Sequence, residues 1–436
     1  MKNWSMNSEI RIIWCIFAFS IENLQSMRIL PFFAVIAIAF SCSKGPVEFK
    51  AGVWRGVIHL QGQELPFTFE VENQQDNYKV YLKNAAEKLT LDEVSILGDS
   101  VKMVLHIFDA ELRARVNGNS LNGFYFKNYD PSFKLPFTAS FSDDFRFEKT
   151  SDEPTKDFSG KYGVVFVGDK NDTTLSVGIF NQRGNHVEGT FLTPIGDYRY
   201  LEGNVVNDKL YLSTFDGNHA FLFSAVKNDE GYLIGDYWSG KSAHETWTGV
   251  KNDNATMPDA EALTYLKEGY NKIEFSFPDV NQKMISPSDE QFKNKVLILQ
   301  IFGTWCPNCM DETKFLSQWY KDNQGRGVEI LGLAYERKAD FGYASDRVKK
   351  MKSKLDVPYD FVIAGVNDKK KAAETLPMLN QVLAFPTTIF IGKDGKVKYF
   401  RTGFEGPGTG IYYEQFKQRF NEIVNELLNE NLAFKK

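Results

Sequence analysis

The sequence predicts two kinds of fold in one chain: an all-β N-terminal region and a C-terminal α/β domain. Three observations support this prediction. Short runs of alternating apolar and polar residues, separated by turn sequences, continue from about residue 49 to 250. The nearly continuous apolar run "NKVLILQIFGTW", residues 294–305, then indicates a strand buried on both faces. Beyond it, strand-like and helix-like segments alternate, which is typical of a layered α/β domain.

Length and composition limit the classes of function. The chain has 436 residues, of which 43% are hydrophobic, and is long enough for two or three packed domains. Its formal net charge of −5 provides no positive field that would attract nucleic acid. Nucleic acid is therefore not expected as a partner.

Residues 1–41 are predicted to be a leader. From Met27, one basic residue is followed by an apolar run, Ile29 to Phe40, and then by small residues, which is the layout of a secretory signal. The tail "AFSC" resembles a bacterial lipoprotein cleavage box and implies that Cys42 is lipidated. An ordinary signal peptide or an uncleaved anchor is the alternative. We expect Met27 to be the true start and the protein to lie in the cell envelope, lipid-anchored and facing the periplasm or exterior.

The β-rich region is predicted to contain two tandem β-meander units of sandwich or barrel type, residues 42–150 and 151–254. The prediction rests on an internal repeat with a period of about 108 residues. Residues 97–125 align with residues 206–237, and each segment has a strand that ends in Phe-Asp, with Asp109 and Asp216 in equivalent positions. The alternative is that the two segments share only the general pattern of β-meanders.

Residues 255–272 are predicted to be a linker and residues 273–436 the α/β domain. Its predicted helices are "CPNCMDETKFLSQWYKD", "SDRVKKMKSKL", "KKAAETLPMLNQVL" and "YYEQFKQRFNEIVNELL". After the first strand, the predicted strands are "VEILGLAYE", "YDFVIAG" and the hairpin "FPTTIFIGKDGKVKYFRTG", which turns at "KDGK". Strands and helices thus alternate up to the C-terminal helix.

The candidate site is "FGTWCPNCMDE", residues 302–312. Cys306 is expected at the start of a helix, where free backbone N–H groups and the helix dipole favour a thiolate. Pro307 suits the first helical turn, where its missing N–H has no consequence. Cys309 lies one turn further on and should be more shielded. The pattern therefore predicts a redox disulfide, with Cys306 as the attacking thiol and Cys309 as the resolving thiol.

Other kinds of site fit the two cysteines less well. A zinc site needs two further ligands and a Cys-His hydrolase needs a histidine, but no histidine follows His244. A cysteine pair that only packs in the core is the remaining alternative. No metal and no cofactor are predicted.

Residues from about 273 to 428 resemble the TlpA/ResA type of thioredoxin-fold thiol:disulfide oxidoreductases. The resemblance rests on "FSFPDVNQKMISPSDEQFKNKVLILQIFGTWCPNCMDE" and "AFPTTIFIGKDGKV" taken together. It implies a thioredoxin-like α/β fold in which Pro386 is a cis-proline that faces the cysteines and Phe385 exposes its backbone to a substrate segment. A trans proline at a strand edge is the alternative.

The same resemblance implies that Glu312, three residues after Cys309, assists proton transfer. The alternative is that Asp311 and Glu312 only complement the helix dipole. Thioredoxin itself has a buried carboxylate six residues before its first cysteine, but that position is Gln300 here. A carboxylate at that position therefore cannot act as the base.

These observations predict an extracytoplasmic oxidoreductase that exchanges electrons with protein disulfides and is reset by a membrane thiol donor. A reductant is favoured, because the Pro-Asn pair between the cysteines lacks the histidine of strong oxidants. Trp305, Pro307 and Phe385 are expected to contact the client, with core packing as the alternative for Trp305. Two rival functions remain: a ligand- or client-binding β module with an accessory redox domain, and a thiol peroxidase.

Overall fold

A computed structural model describes residues 48–75, 77–149 and 153–430. The described residues belong to one compact unit, Pro46–Lys436. The predicted leader and Cys42 lie outside the described residues. Among the described helices, none has the length and apolar character that crossing a bilayer requires.

The first nine strands form one antiparallel sheet, here called β unit 1. They are β1 Gly52–Leu60, β2 Gln63–Gln74, β3 Asn77–Asn84, β4 Glu87–Leu91, β5 Val94–Leu97, β6 Ser100–Val104, β7 Ala110–Asn117, β8 Ser120–Lys127 and β9 Lys134–Phe141. Each strand pairs with the next along the chain, and β9 returns to pair with β1. Among the described residues, β4 and β5 do not pair, so this barrel-like meander stays open along one seam.

The next nine strands form a second sheet, β unit 2. They are β10 Gly160–Gly168, β11 Thr173–Arg183, β12 His186–Thr193, β13 Gly196–Asp197, β14 Leu201–Val206, β15 Lys209–Phe215, β16 Ala220–Lys227, β17 Leu233–Ser239 and β18 Ala243–Lys251. This sheet closes on itself, because β18 pairs with β10 and β11 pairs with both β10 and β12. Its interior is packed with aromatic rings, among them Phe166, Phe191, Phe223 and Trp247.

The two β units repeat one another. Their first strands begin at Gly52 and Gly160, 108 residues apart. These two glycines have φ of 127° and 126°, a backbone conformation that favours glycine. In both sheets most strands pair with the next along the chain and the last strand returns to the first, which confirms the prediction of two tandem β-meander units and shows that they are barrel-like. The limits predicted for these units, residues 42–150 and 151–254, stay a prediction.

The C-terminal region has the predicted α/β architecture. Its strands are β19 Phe277–Pro278, β20 Met284–Ile285, β21 Val296–Phe302, β22 Val328–Glu336, β23 Asp360–Val366, β24 Thr387–Ile391 and β25 Val397–Thr402. Its helices are α1 Pro307–Asp322, α2 Phe341–Lys354, α3 Lys369–Thr375 and α4 Ile411–Asn429. The five long strands form a sheet in the order β23-β22-β21-β24-β25. Strands β21, β22 and β23 are parallel to one another. Strand β24 pairs antiparallel with β21, and β25 pairs antiparallel with β24. The thioredoxin-like fold expected for this region is confirmed.

The third helix is shorter than predicted. Residues 370–383 were expected to be helical, but α3 ends at Thr375. Leu376 has φ −129° and ψ 65°, outside the helical region, and it directly precedes Pro377. Because a proline ring clashes with a helical residue before it, the helix cannot continue through this point.

Both β units contact the α/β domain near their Phe-Asp corners, directly in β unit 1 and through Arg199 in β unit 2. In β unit 1, the Asp109 carboxylate accepts a hydrogen bond of 2.9 Å from the Tyr343 hydroxyl of α2. In β unit 2, Asp216 lies 3.6 Å from Arg199, which in turn reaches Asp311 of α1. The two copies of the repeat therefore hold two different helices of the α/β domain.

Candidate active site

The two cysteines lie where strand β21 gives way to helix α1. Cys306 is the N-cap residue of α1, and its sulfur accepts a hydrogen bond of 3.2 Å from the Cys309 backbone N–H. A disulfide joins the two residues, whose Cα atoms are 5.2 Å apart. Cys309 is fully buried and Cys306 is 7% exposed. As predicted, Cys306 is more exposed than Cys309, but Cys306 is much less accessible than an attacking thiol was expected to be.

Local packing explains the chain path before the cysteines. The Trp305 indole N–H donates a hydrogen bond of 2.8 Å to the Tyr335 carbonyl of β22. The indole comes so close to the backbone of Gly303 that a Cβ atom there would collide with it. Glycine at this strand end therefore allows Trp305 to fold back beside the cysteines.

The segment before β24 faces the disulfide. The Phe385–Pro386 peptide bond is cis, so the trans alternative is wrong. The Phe385 carbonyl oxygen lies 3.3 Å from the Cys306 sulfur. The Phe385 and Trp305 rings meet edge to face with centroids 5.5 Å apart. The Phe385 carbonyl thus lies against the sulfur of Cys306, and the Phe385 ring packs on Trp305.

Glu312 is buried and bound by two polar side chains. One carboxylate oxygen accepts a hydrogen bond of 2.8 Å from the Gln300 amide, and the other accepts one of 2.7 Å from the Thr388 hydroxyl. Burial raises the pKa of Glu312 to about 7, although both hydrogen bonds and Arg401 act to lower it. Gln300 therefore holds a titratable carboxylate in the core.

Replacing Glu312 by glutamine should change how stability depends on pH. The pKa of Glu312 is about 7 in the folded chain and near 4.5 when solvated, so the folded state binds the proton more tightly. Its stabilisation is complete below about pH 4.5 and is lost as pH rises through 7. We expect the wild type's free energy of unfolding, relative to Glu312→Gln, to fall by up to roughly 3 kcal/mol between pH 4.5 and 8.

Denaturant unfolding of the oxidised proteins at several pH values measures this difference. Glu374→Gln, the same change at an exposed position of α3, is the matched control and should give a constant difference from wild type. A difference between Glu312→Gln and wild type that did not change with pH would contradict the assignment.

A buried ion cluster connects the three structural parts beside α1. Arg199 of β unit 2 is 2% exposed at its side chain and lies 3.0 Å from the Asp311 carboxylate of α1. It also pairs with Glu87 of β unit 1 and lies 3.6 Å from Asp216. Burial raises the pKa of Asp311, and Arg199 and Lys314 oppose this rise. Asp311 is thus part of an interdomain ion cluster, and it does not only complement the helix dipole.

Arg199 and Glu87 were not among the predicted site residues. They lie 112 residues apart and neither belongs to a local motif. The sequence pointed to this cluster only indirectly, through Asp216, which belongs to the internal repeat and lies 3.6 Å from Arg199.

β unit 2 also touches the residues between the two cysteines. The Asn308 amide donates a hydrogen bond of 3.0 Å to the Asp197 backbone carbonyl. One oxygen of the Asp197 carboxylate accepts a hydrogen bond of 2.7 Å from the Gly406 N–H. A Cβ atom on Gly196 would lie 2.8 Å from the Asn308 amide nitrogen. The β unit and the redox motif are therefore in close contact.

β unit 1 approaches the same motif from another side. The Arg337 guanidinium lies 4.4 Å from the ring centre of Trp305 and 4.7 Å from that of Tyr129 in β unit 1. Such cation–π contacts contribute about 0.5–2 kcal/mol. Arg337 thus links Trp305 to β unit 1. The predicted site residues Cys306, Cys309, Trp305 and Phe385 come together at one place, and Pro386 follows Phe385 in the chain. Pro307 is buried in the first turn of α1.

Comparison with known proteins gives matches to a family profile, to curated sequences and to solved structures. The AhpC/TSA family profile matches residues 269–400. The thiol-disulfide oxidoreductase ResA of Bacillus subtilis is 28% identical over 150 residues, covering 34% of this chain and 74% of that protein. ResA of Geobacillus thermodenitrificans is 30% identical over 112 residues, 26% of this chain and 57% of that protein. The thiol:disulfide interchange protein CycY of Rhizobium leguminosarum is 27% identical over 124 residues, 28% of this chain and 57% of that protein.

Two of these three matches span less than two thirds of the relative. Among solved structures, a thiol:disulfide interchange protein from Chlorobium tepidum is 21% identical with a TM-score of 0.29, covering 37% of this chain and 99% of that one. A protein disulfide isomerase candidate from Bacteroides thetaiotaomicron is 20% identical with a TM-score of 0.29, covering 39% and 95%. With the match at residues 269–400, the sequence relatives confirm the resemblance of the C-terminal region to thiol:disulfide oxidoreductases.

Proposed function

We propose that this chain is a thiol:disulfide oxidoreductase that exchanges electrons with protein disulfides through Cys306 and Cys309. The observation that carries the proposal is the placement of Cys306. It caps the N-terminus of α1, is bonded to Cys309 and lies 3.3 Å from the carbonyl before the cis-proline. Backbone N–H groups at a helix start stabilise the thiolate that disulfide exchange requires. The relatives ResA and CycY are a thiol-disulfide oxidoreductase and a thiol:disulfide interchange protein, which supports the same reaction.

The proposed reaction has two exchange steps. The Cys306 thiolate of the reduced chain attacks a client disulfide, forms a mixed disulfide and releases one client thiolate. Cys309 then attacks the Cys306 sulfur and releases the second client thiolate. Two electrons pass from the cysteine pair to the client, and both client thiolates take up protons. Glu312, buried on the Cys309 face of α1, is proposed to accept the proton that Cys309 loses.

We infer that the chain acts as a reductant outside the cytoplasm. The Pro-Asn sequence between the cysteines supports this direction, and the predicted leader, with Cys42 as the predicted lipidation site, supports a lipid-anchored position in the cell envelope. A membrane thiol donor would then return the cysteine pair to the dithiol state. Dithiol proteins range from about −270 mV for reductants to about −120 mV for oxidants, so a measured reduction potential tests the direction.

Trp305 and Phe385, which line the space in front of Cys306, are proposed to contact the client. The expected client contact of Pro307 is not proposed, because Pro307 is buried in the first turn of α1. The rival proposal, that binding by the β units is the main function, is supported by the contact between Asn308 and Asp197. The same contact argues against a β region that serves only to hold the α/β domain away from the membrane. A thiol peroxidase is the other rival, and a peroxide consumption assay separates it from the oxidoreductase.

Replacing Cys309 by serine should trap the first intermediate. Cys306 keeps its place at the helix start, but no thiol remains to resolve the mixed disulfide. We expect the reduced Cys309→Ser chain to accumulate a covalent complex with a disulfide-containing client, observed by non-reducing gel and mass spectrometry. Reduced wild type should give little of this complex. Absence of the complex, at client concentrations that the wild type reduces, would contradict the proposed order of the two cysteines.

A further inference from the structure

A cavity lies directly in front of the attacking cysteine. It has a volume of about 410 Å³ and is bounded by both the α/β domain and β unit 2. Cys306 lines it together with Trp305, Asn308, Ala384 and Phe385 of the α/β domain. Because Cys306 is only 7% exposed, a client sulfur has to enter this cavity to reach it.

Both walls of the cavity are aromatic. On the β side, Tyr198, Phe221 and Tyr237 pack together with ring centroids 5.2 to 5.6 Å apart. On the opposite side, Trp305 and Phe385 meet edge to face. Apolar and aromatic linings with a few polar groups are typical of sites that bind apolar ligand groups.

A few polar side chains complete the lining. His219 lies on the β side, and its ring is stacked on Phe221 with centroids 4.5 Å apart and held 3.0 Å from the Asp216 carboxylate. Asp197 and Glu245 provide two carboxyl groups, and Lys369 provides one ammonium group. Burial raises the pKa of Asp197 to about 7. Acidic and basic groups thus both line the cavity, and most of its remaining lining is uncharged.

The β wall is fixed in place. Asn308 binds the Asp197 carbonyl directly, and Arg199 pairs with Asp311 two residues after Cys309. Both contacts join β unit 2 to the first two turns of α1. The broad surface of a folded client therefore cannot reach Cys306 without breaking buried polar contacts, whereas a narrow chain segment can enter the cavity.

We propose that β unit 2 makes this cavity a selective subsite for a disulfide carried on an unfolded, extended polypeptide segment with an aromatic or large apolar residue beside its cysteine. This proposal rests on the proposed oxidoreductase function. An extended chain advances about 3.3–3.6 Å per residue, so a few residues fit a cavity of this size. Large apolar residues are buried in folded proteins and become available mainly when a client is unfolded.

The test uses the full reduced chain and three disulfide substrates. Two are short synthetic peptides with one cystine, identical except that the residue beside the cysteine is Phe in one and Ser in the other. The third is a folded protein with a surface disulfide. We expect kcat/KM to be at least about tenfold higher for the Phe peptide than for the Ser peptide, and lowest for the folded protein.

Two tryptophan variants locate the effect. Thr174 is exposed and lines the cavity, so Thr174→Trp should fill its entrance and reduce kcat/KM for the Phe peptide about tenfold or more. Thr248→Trp places the same side chain at an exposed position of β18 that does not line this cavity, and should keep the wild-type preference. Equal kcat/KM for all three substrates, or a Thr174→Trp chain that keeps the Phe preference, would overturn the proposal.

Exchange of the wild-type Cys306–Cys309 disulfide with dithiothreitol tests the proposed function separately. If this exchange occurs but no peptide preference is found, only the subsite proposal fails. If the disulfide does not exchange at all, the oxidoreductase function and the subsite proposal both fail.

Discussion

A Cys306→Ser chain should reduce a client disulfide no faster than the uncatalysed reaction, a loss of at least roughly 10³-fold. The reason is that Cys306 supplies the nucleophile, while Cys309 is fully buried behind it and cannot meet a client sulfur. Thiol release from a disulfide client, with excess dithiothreitol as electron source and its own background rate subtracted, measures the effect.

Cys309→Ser is the matched control for this experiment. It removes the same disulfide and makes the same chemical change, but leaves the nucleophile in place. It should therefore still form the mixed disulfide, while Cys306→Ser should not. A Cys306→Ser chain that reduced the client at the wild-type rate would refute the proposed function.

An Arg199→Leu chain should be less stable than wild type by about 3–5 kcal/mol at neutral pH. Arg199 is the cation that faces the buried carboxylates of Glu87, Asp216 and Asp311. Leucine fills part of the space but leaves these charges without their shared partner, and an uncompensated buried charge is strongly destabilising. Denaturant unfolding monitored by tryptophan fluorescence gives the difference.

Two further measurements separate charge from packing. Arg183→Leu makes the same change at an exposed position of β11 in the same β unit, and should alter stability by about 0.5 kcal/mol or less. The deficit of Arg199→Leu should also narrow as pH falls towards 4, because burial raises the pKa of Asp311 and the loss of Arg199 removes a charge that opposes this rise, so Asp311 can take up a proton. A deficit below about 1 kcal/mol, or one that is independent of pH, would show that the cluster does not act as an ion network.

The site residues that could be predicted from the sequence are those set by local chemistry. The apolar run of β21 and the Cys-Pro-Asn-Cys start of α1 lie next to each other in the chain, so strand, helix and N-cap follow from neighbouring residues. Pro386 was found through a resemblance that links two distant motifs. The end of α3 was not predicted, because Pro377 was included within the predicted helix although the residue before a proline disfavours helical geometry.

The contacts between the β units and the active site could not be predicted in this way. The hydrogen bond from Asn308 to Asp197 joins residues 111 positions apart, and Arg199 and Asp311 belong to different structural parts. No periodicity or spacing rule connects such residues, because their proximity depends on how whole sheets pack. For the same reason, the sequence showed only that Gln300 replaces the carboxylate of thioredoxin at this position. The hydrogen bond from Gln300 to Glu312 was not predicted.

The open seam of β unit 1 has a consequence for proteolysis and aggregation. Strands β4 and β5 are joined at Asp92 and Glu93, and helix α2 covers this corner through Lys350, 2.7 Å from Glu93, and Lys354, which pairs with Asp92. Unpaired strand edges are templates for association with other chains unless charges or a neighbouring helix protect them. A protease that removed the α/β domain would uncover this edge, so the released β fragment should self-associate while the intact chain stays dispersed.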